Sequence, residues 1–170
     1  MSLTLLIGGV RSGKSRFAIG RATSAGSVVF IATAEAGDDE MAVRIDSHRA
    51  ERPPEWTTVE EPVEIRAAIE GFPAESFVIV DCLSLWVSNL MGRDWDDEMI
   101  WAEADRLAGL AARRPGPTIV VTNEVGLGIV PVTPVGRRYR DALGRVNAAF
   151  ADQAEEALFL VAGRVLPLER

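Results

Sequence analysis

The chain has 170 residues, 48% of them hydrophobic and 25% charged, with a net charge of −7 and a single cysteine. These figures describe one domain over residues 1–170 with its own core, and they exclude a disordered chain, a collagen-like chain and a disulfide scaffold. The acidic balance opposes a general nucleic-acid partner, no stretch approaches the ~20 apolar residues of a membrane span, and one cysteine suits the reducing cytoplasm.

In chain order, Leu3–Ile7 is a continuous apolar run, as in a strand buried on both faces. Gly8–Gly13 reads as a glycine-rich turn and Lys14–Thr23 as a helix. Ser27–Ala32 is a second buried strand, and Asp38–Ala50 a helix that Pro53 and Pro54 stop. Trp56–Val59 reads as a short strand, and Pro62–Gly71 as a helix with proline in its first turn and glycine at its end. Phe77–Val80 is a third buried strand, closed by Asp81. Helices follow at Leu83–Met91 and Asp96–Ala112, then a strand at Thr118–Thr122. Asn123–Pro134 reads as a loop, Val135–Ala154 as a long helix with Val135, Tyr139, Ala142, Leu143, Val146 and Phe150 on one face, and Ala157–Ala162 as the last strand. Buried strands separated by helices require parallel crossovers, so the expected fold is α/β, a mostly parallel sheet with helices on both faces.

Residues 8–15 read Gly8, Gly9, Val10, Arg11, Ser12, Gly13, Lys14, Ser15, which is G-x-x-x-x-G-K-S, a phosphate-binding loop. Glycines let the backbone turn tightly and leave its N–H groups open to phosphate oxygens. The helix that starts there adds its positive end, Lys14 supplies a mobile point charge, and Ser15 offers a hydroxyl to Mg²⁺. Lys14 is the one lysine among 18 basic side chains. The second Mg²⁺ partner expected in such a site is an acid at the end of a neighbouring strand, and Asp81 fits.

A switch GTPase is disfavoured. Thr122-Asn123-Glu124-Val125 lacks the lysine of N-K-x-D, and Asp81 is followed by Cys82, Leu83 and Ser84 with no glycine. A small-molecule phosphotransferase fits the length better. A nucleotide-gated binding module without turnover is the non-enzyme alternative. His48, the single histidine, lies among Arg44, Arg49 and Arg52, a local anion site on a net acidic chain. A neutral imidazole beside phosphates can act as base or as nucleophile at phosphorus.

Several segments occur together and in order: Gly8–Arg16, Phe30-Ile-Ala-Thr-Ala34, Asp38–Met41, Arg44-Ile-x-x-His-Arg49 with Arg52-Pro53, Asp81–Leu90, and Thr122–Pro131. Over essentially its whole length the chain resembles the bifunctional adenosylcobinamide kinase / adenosylcobinamide-phosphate guanylyltransferase family of cobalamin biosynthesis. The resemblance implies a P-loop NTPase domain of RecA-like type, homo-oligomeric, acting on a corrinoid. A nucleoside triphosphate, ATP or GTP, phosphorylates adenosylcobinamide. GTP then donates GMP to the product through a covalent GMP-histidine, giving adenosylcobinamide-GDP and pyrophosphate.

By the same resemblance His48 is the histidine that carries GMP. Thr33, Ala34, Glu35, then Arg49, Ala50, Glu51, Arg52, and also Glu60 contact the guanine nucleotide, while Asp81, read from its place at a strand end, is expected to meet the metal or the nucleotide. A carboxylate can accept two guanine N–H groups together, and Glu60 or Glu61 could supply it. Arg49 or Arg52, with Mg²⁺, could neutralise the leaving pyrophosphate. The alternative that stays open is a P-loop kinase of another small metabolite, without nucleotidyl transfer. Two stretches depart from the family pattern: Val132-Thr133-Pro134, where an acid commonly follows Pro131, and Ala162–Leu168, which is longer than usual. The stretches around Trp86, Trp95 and Trp101 are candidates for corrinoid contact, although tryptophan more often simply packs.

Overall fold

The computed structural model describes residues 3–37, 39–50 and 52–169, and leaves the side chains of residues 39–42, 44 and 48 outside the description. The elements are β1 (Leu3–Gly8), α1 (Lys14–Ala22), β2 (Val28–Ala32), α2 (Asp39–Ala50), β3 (Thr57–Glu60), α3 (Ile65–Glu70), β4 (Phe77–Asp81), α4 (Leu83–Met91), α5 (Asp97–Arg113), β5 (Thr118–Asn123), α6 (Pro134–Gln153), β6 (Glu156–Val161) and β7 (Arg164–Pro167).

The strands form one sheet in the order β3-β2-β4-β5-β1-β6-β7. Every neighbouring pair is parallel except β6 and β7. Alternate side chains of the central strands feed two cores. Leu3, Leu5, Ile31, Val80 and Val120 pack against α3, α4, α5 and α6, where Trp86, Leu143 and Phe150 are fully buried. Leu6, Phe30, Ile79 and Val121 pack on the other face with Ala18 and Ala22 of α1. Strands buried on both faces have to be apolar throughout, which is why they stand out in the sequence.

Parallel strands end together, and that builds the site. Gly8 lies opposite Asn123, Ala32 opposite both Asp81 and Glu60, and Asp81 opposite Val121. The phosphate loop and the residues after β2, β3, β4 and β5 therefore share the carboxyl rim of the sheet, where open α/β sheets bind ligands.

Three elements differ from the sequence reading. The helix expected from Pro62 begins at Ile65, because the Glu61 carboxylate accepts from the Val63 and Glu64 N–H groups at 2.9 and 2.8 Å and holds those residues in a turn. The tail folds back as β7, an antiparallel edge strand, through a turn in which Ala162 (φ 50°) and Gly163 (φ 74°) are both left-handed, as two-residue hairpins demand. Val135 is exposed and not part of the buried face of α6. The departure at Val132–Pro134 has a local purpose: Thr133 caps α6, accepting from Gly136 N at 3.2 Å, and Pro134 opens the helix.

Candidate active site

The phosphate loop joins β1 to α1. Arg11 (φ 56°) and Gly13 (φ 97°) are left-handed, and such residues turn successive N–H groups into one concavity. Gly13 is needed for that conformation. Gly8 is needed for space: a Cβ there would run into the Leu160 carbonyl and lie 3.0 Å from Ser12 Oγ. The hairpin turn supports the loop from outside, with Gly163 N–H donating to the Ser12 carbonyl at 3.0 Å.

Lys14 is 7% exposed. Its Nζ donates to the carbonyls of Gly8 (3.0 Å) and Gly9 (2.6 Å) and to Ser12 Oγ (3.3 Å). Burial lowers its pKa, while the Cys82 and Asp81 side chains oppose that shift. The lysine thus lies within electrostatic reach of the acid that ends β4.

Asp81 sits on a stitched shelf. Its carbonyl accepts from Thr33 N–H at 3.0 Å. Thr33 Oγ1 donates to the Cys82 carbonyl at 2.7 Å and accepts from Cys82 N–H at 2.8 Å. Next to the shelf, Ser84 Oγ accepts from Asn123 Nδ2 at 2.9 Å and lies 2.9 Å from Cys82 Sγ. Tyr139 O–H donates to the Ser84 carbonyl at 3.0 Å, and Asn147 bridges Thr122 Oγ1 and the Asn123 carbonyl at 2.7 and 3.0 Å. Burial drives the Cys82 thiol up to about 11 and the Tyr139 phenol up to about 12. Both therefore remain neutral donors at physiological pH.

The Asp81 carboxylate accepts no hydrogen bond among the described residues. With the half-buried Ser15 hydroxyl it offers the hard oxygen donors that suit Mg²⁺ bound to phosphates. The described residues contain no cluster of three or more His, Cys, Asp or Glu that could hold a metal without nucleotide.

Beyond β2 and β3 lies a charged side. Arg52 lays its guanidinium 4.0 Å from the centre of the Phe30 ring, and its Nε has no hydrogen-bond partner among the described residues. Burial lowers its pKa, Asp81 opposes that and Arg49 adds to it, so these three charges lie close together. Arg49 pairs with Glu60 at the end of β3 and with Asp46 at 3.4 Å. Glu35 is held by Arg93 through two hydrogen bonds of 2.7 and 3.0 Å, which lower the Glu35 pKa. Ala34 is half-buried beside it, and Ala50 is exposed at the end of α2.

The structure brings Gly8–Ser15, Thr33, Asp81 and Arg52 to one rim. His48 belongs to α2, but its side chain lies outside the described residues, as does Glu51 altogether. Trp86 is core, its Nε1 donating to the Val63 carbonyl at 2.8 Å, and is no surface for a ligand. Trp95 and Trp101 pack against the same core. Asn89, Arg93 and Tyr139 were missed. The available signal was a polar side chain interrupting an apolar helix, as Ser84 and Asn89 interrupt α4.

The model of the cobinamide kinase / cobinamide phosphate guanyltransferase family matches residues 4–168. The chain belongs to that family. It is accordingly an enzyme of the kinase and guanylyltransferase class, with its place in cobinamide metabolism. It is 44% identical over 167 residues to the bifunctional adenosylcobalamin biosynthesis protein CobP of Pseudomonas aeruginosa, covering 97% of this chain and 96% of that protein. It is 38% identical to the CobU protein of Escherichia coli, covering 95% and 96%. Among solved structures, an ATPase from a bacterial type III secretion system aligns with a TM-score of 0.59 at 14% identity, over 94% of this chain and 51% of that one. The RadB recombinase aligns with a TM-score of 0.52 at 17% identity, over 93% and 73%. At such identities the structural likeness establishes the fold alone, and the fold is the RecA-like P-loop arrangement expected from the sequence. Among the described residues no helix is long and apolar enough to cross a membrane.

Proposed function

We propose that the protein phosphorylates the aminopropanol hydroxyl of adenosylcobinamide with ATP or GTP, and then transfers GMP from GTP to that phosphate through His48. In the first reaction the substrate hydroxyl attacks the γ-phosphorus, and the bond to the β-phosphate oxygen breaks. Lys14 and the N–H groups of residues 9–15 hold the phosphates where charge develops. Ser15 and Asp81 would hold Mg²⁺, which supplies charge neutralisation on the β and γ oxygens.

In the second reaction an imidazole nitrogen of His48 attacks the α-phosphorus of GTP and pyrophosphate leaves. An oxygen of adenosylcobinamide phosphate then displaces the imidazole, breaking the P–N bond. One displacement becomes two, each with a good leaving group. Arg52 supports this reading, because a half-buried guanidinium near Asp81 suits a phosphate anion. Glu60 is the better candidate for reading guanine, since Glu61 is engaged in capping the turn before α3. Glu35 and Arg49 would contact the nucleotide after yielding part of their present ion pairs.

The observation that carries the proposal is the shared carboxyl rim of the sheet, on which Gly8 ends β1, Ala32 lies opposite Asp81, and Arg52 stands just beyond the helix that bears His48. The exposed Leu127, Ile129 and Val132, on the loop before α6, support a homo-oligomer. A cytoplasmic setting, where nucleoside triphosphates are made, completes the reading.

The test is incubation with GTP labelled at the α-phosphate. Label should remain on the denatured protein, be lost on acid treatment as a phosphoramidate is, and be absent from His48→Ala. Label that survives His48→Ala sinks the histidine route. Phosphorylation of cobinamide should continue in that variant.

A further inference from the structure

Asn89 lies in α4, and both N–H groups of its amide are engaged. Nδ2 donates to the Thr33 carbonyl at 2.7 Å and to the Pro62 carbonyl at 3.1 Å. Both partners are carbonyl oxygens, so only the nitrogen of the amide can face them. The two carbonyls belong to different strand ends. β2 and β3 run parallel with Ala32 opposite Glu60, and their ladder closes with Glu61 N–H on the Ala32 carbonyl at 2.9 Å. Past that rung no backbone hydrogen bond joins the two segments among the described residues. The Asn89 amide takes over there, holding one carbonyl of each.

In the turn just past α4, Arg93 donates to the Asn89 carbonyl at 3.1 Å and grips Glu35 with both of its terminal nitrogens. The segment after β2 is thus tied once to α4 and once to the turn that follows it, and the segment after β3 once to α4. We propose that Asn89 is a positioning residue for the guanine side of the site, fixing the spacing between Thr33–Glu35 and Glu60. This rests on the reading that those two segments hold the nucleotide base.

The geometry makes the effect base-specific. The phosphate loop is anchored separately, through Lys14, Ser12 and the hairpin turn, and shares no hydrogen bond with Asn89. Losing the amide should let the two strand ends drift and blur recognition of the base, while phosphate binding persists. Asn89→Asp would set a carboxylate against two carbonyl oxygens, and Asn89→Ala would remove both donors.

The experiment is equilibrium binding of GDP and of ADP to the full chain, for wild type, Asn89→Ala, Asn89→Asp and Asn89→Gln, together with thermal unfolding. The ratio of GDP to ADP affinity should fall about tenfold in the first two variants, and recover in part in Asn89→Gln, which keeps the donor pair on a longer stem. Unfolding midpoints should stay within about 4 °C. An unchanged ratio overturns the role of Asn89. Equal losses for both nucleotides with a lowered midpoint, or failure of the variants to fold, make Asn89 a structural residue and also overturn it. A wild-type chain with no preference for GDP overturns the base-site reading itself, and this role with it.

Discussion

The Thr33 hydroxyl holds both backbone groups of Cys82, donating to the carbonyl at 2.7 Å and accepting from the N–H at 2.8 Å. Thr33 and Cys82 are both buried, and they follow neighbouring strands directly, so one hydroxyl sets the position of Asp81 relative to β2. Thr33→Val keeps the shape and removes both bonds, leaving the buried Cys82 N–H without a partner while the Cys82 carbonyl keeps the Trp86 N–H at 3.1 Å. The expected cost is about 1–3 kcal/mol, with a fall in phosphorylation rate larger than any change in nucleotide affinity. Chemical denaturation and steady-state kinetics check this. A variant as stable and as active as the parent contradicts it.

Glu60 and Glu61 should separate cleanly. Glu61 Oε1 accepts two N–H groups of the turn before α3, so Glu61→Ala should destabilise by about 1 kcal/mol and leave nucleotide preference intact. Glu60 is about half exposed and bound only to Arg49 among the described residues. Glu60→Gln should lower GTP affinity about tenfold through the lost pair of charge-assisted bonds. Isothermal titration with GTP and with ATP decides it, and the reverse pattern would exchange the two roles.

Most of the sheet was legible because strands buried on both faces must be apolar throughout. Leu3–Ile7 and Phe77–Val80 could hardly be read otherwise. Phosphate-loop chemistry was legible because the backbone conformation demands glycine at residue 13 and the close Leu160 carbonyl demands it at residue 8. β7 was not: its residues are exposed, it contains Pro167, and its turn places Ala162 rather than asparagine or glycine at positive φ. The start of α3 was misjudged because the Glu61 carboxylate and the Asn89 amide govern residues 62–64, and the second of these comes from a helix distant in sequence. The role of Asn89 depends on two acceptors at different strand ends, which only the folded chain brings together.

Arg52 should not tolerate lysine. Its planar guanidinium lies over Phe30, half-buried near Asp81. A lysine ammonium is more strongly hydrated and cannot stack. Arg52→Lys should raise the GTP requirement of guanylyl transfer about tenfold and alter thermal stability little. Transfer rates measured across GTP concentration test this, and a lysine variant with parental kinetics would remove Arg52 from phosphate binding.

Alkali should weaken the fold before it exposes the site. The Cys82 thiol is raised from 9.0 to about 11, chiefly by burial and then by the Asp81 charge. In the unfolded chain the thiol ionises first, so between about pH 9 and pH 11 the unfolded state binds fewer protons than the folded one. Stability therefore falls as pH rises through that window. The full effect is of order 2–3 kcal/mol. Tyr139, raised from 10.0 to about 12 by burial, extends the decline with the same sign. Cys82→Ser lacks the thiol titration and should show a shallower loss of stability between pH 9 and 11, measured by urea unfolding at a series of pH values. The same burial predicts that a thiol reagent at pH 8 labels Cys82 only after denaturation. Rapid labelling of the native protein would show that the Cys82–Ser84 shelf opens in solution and does not hold Asp81 in one place.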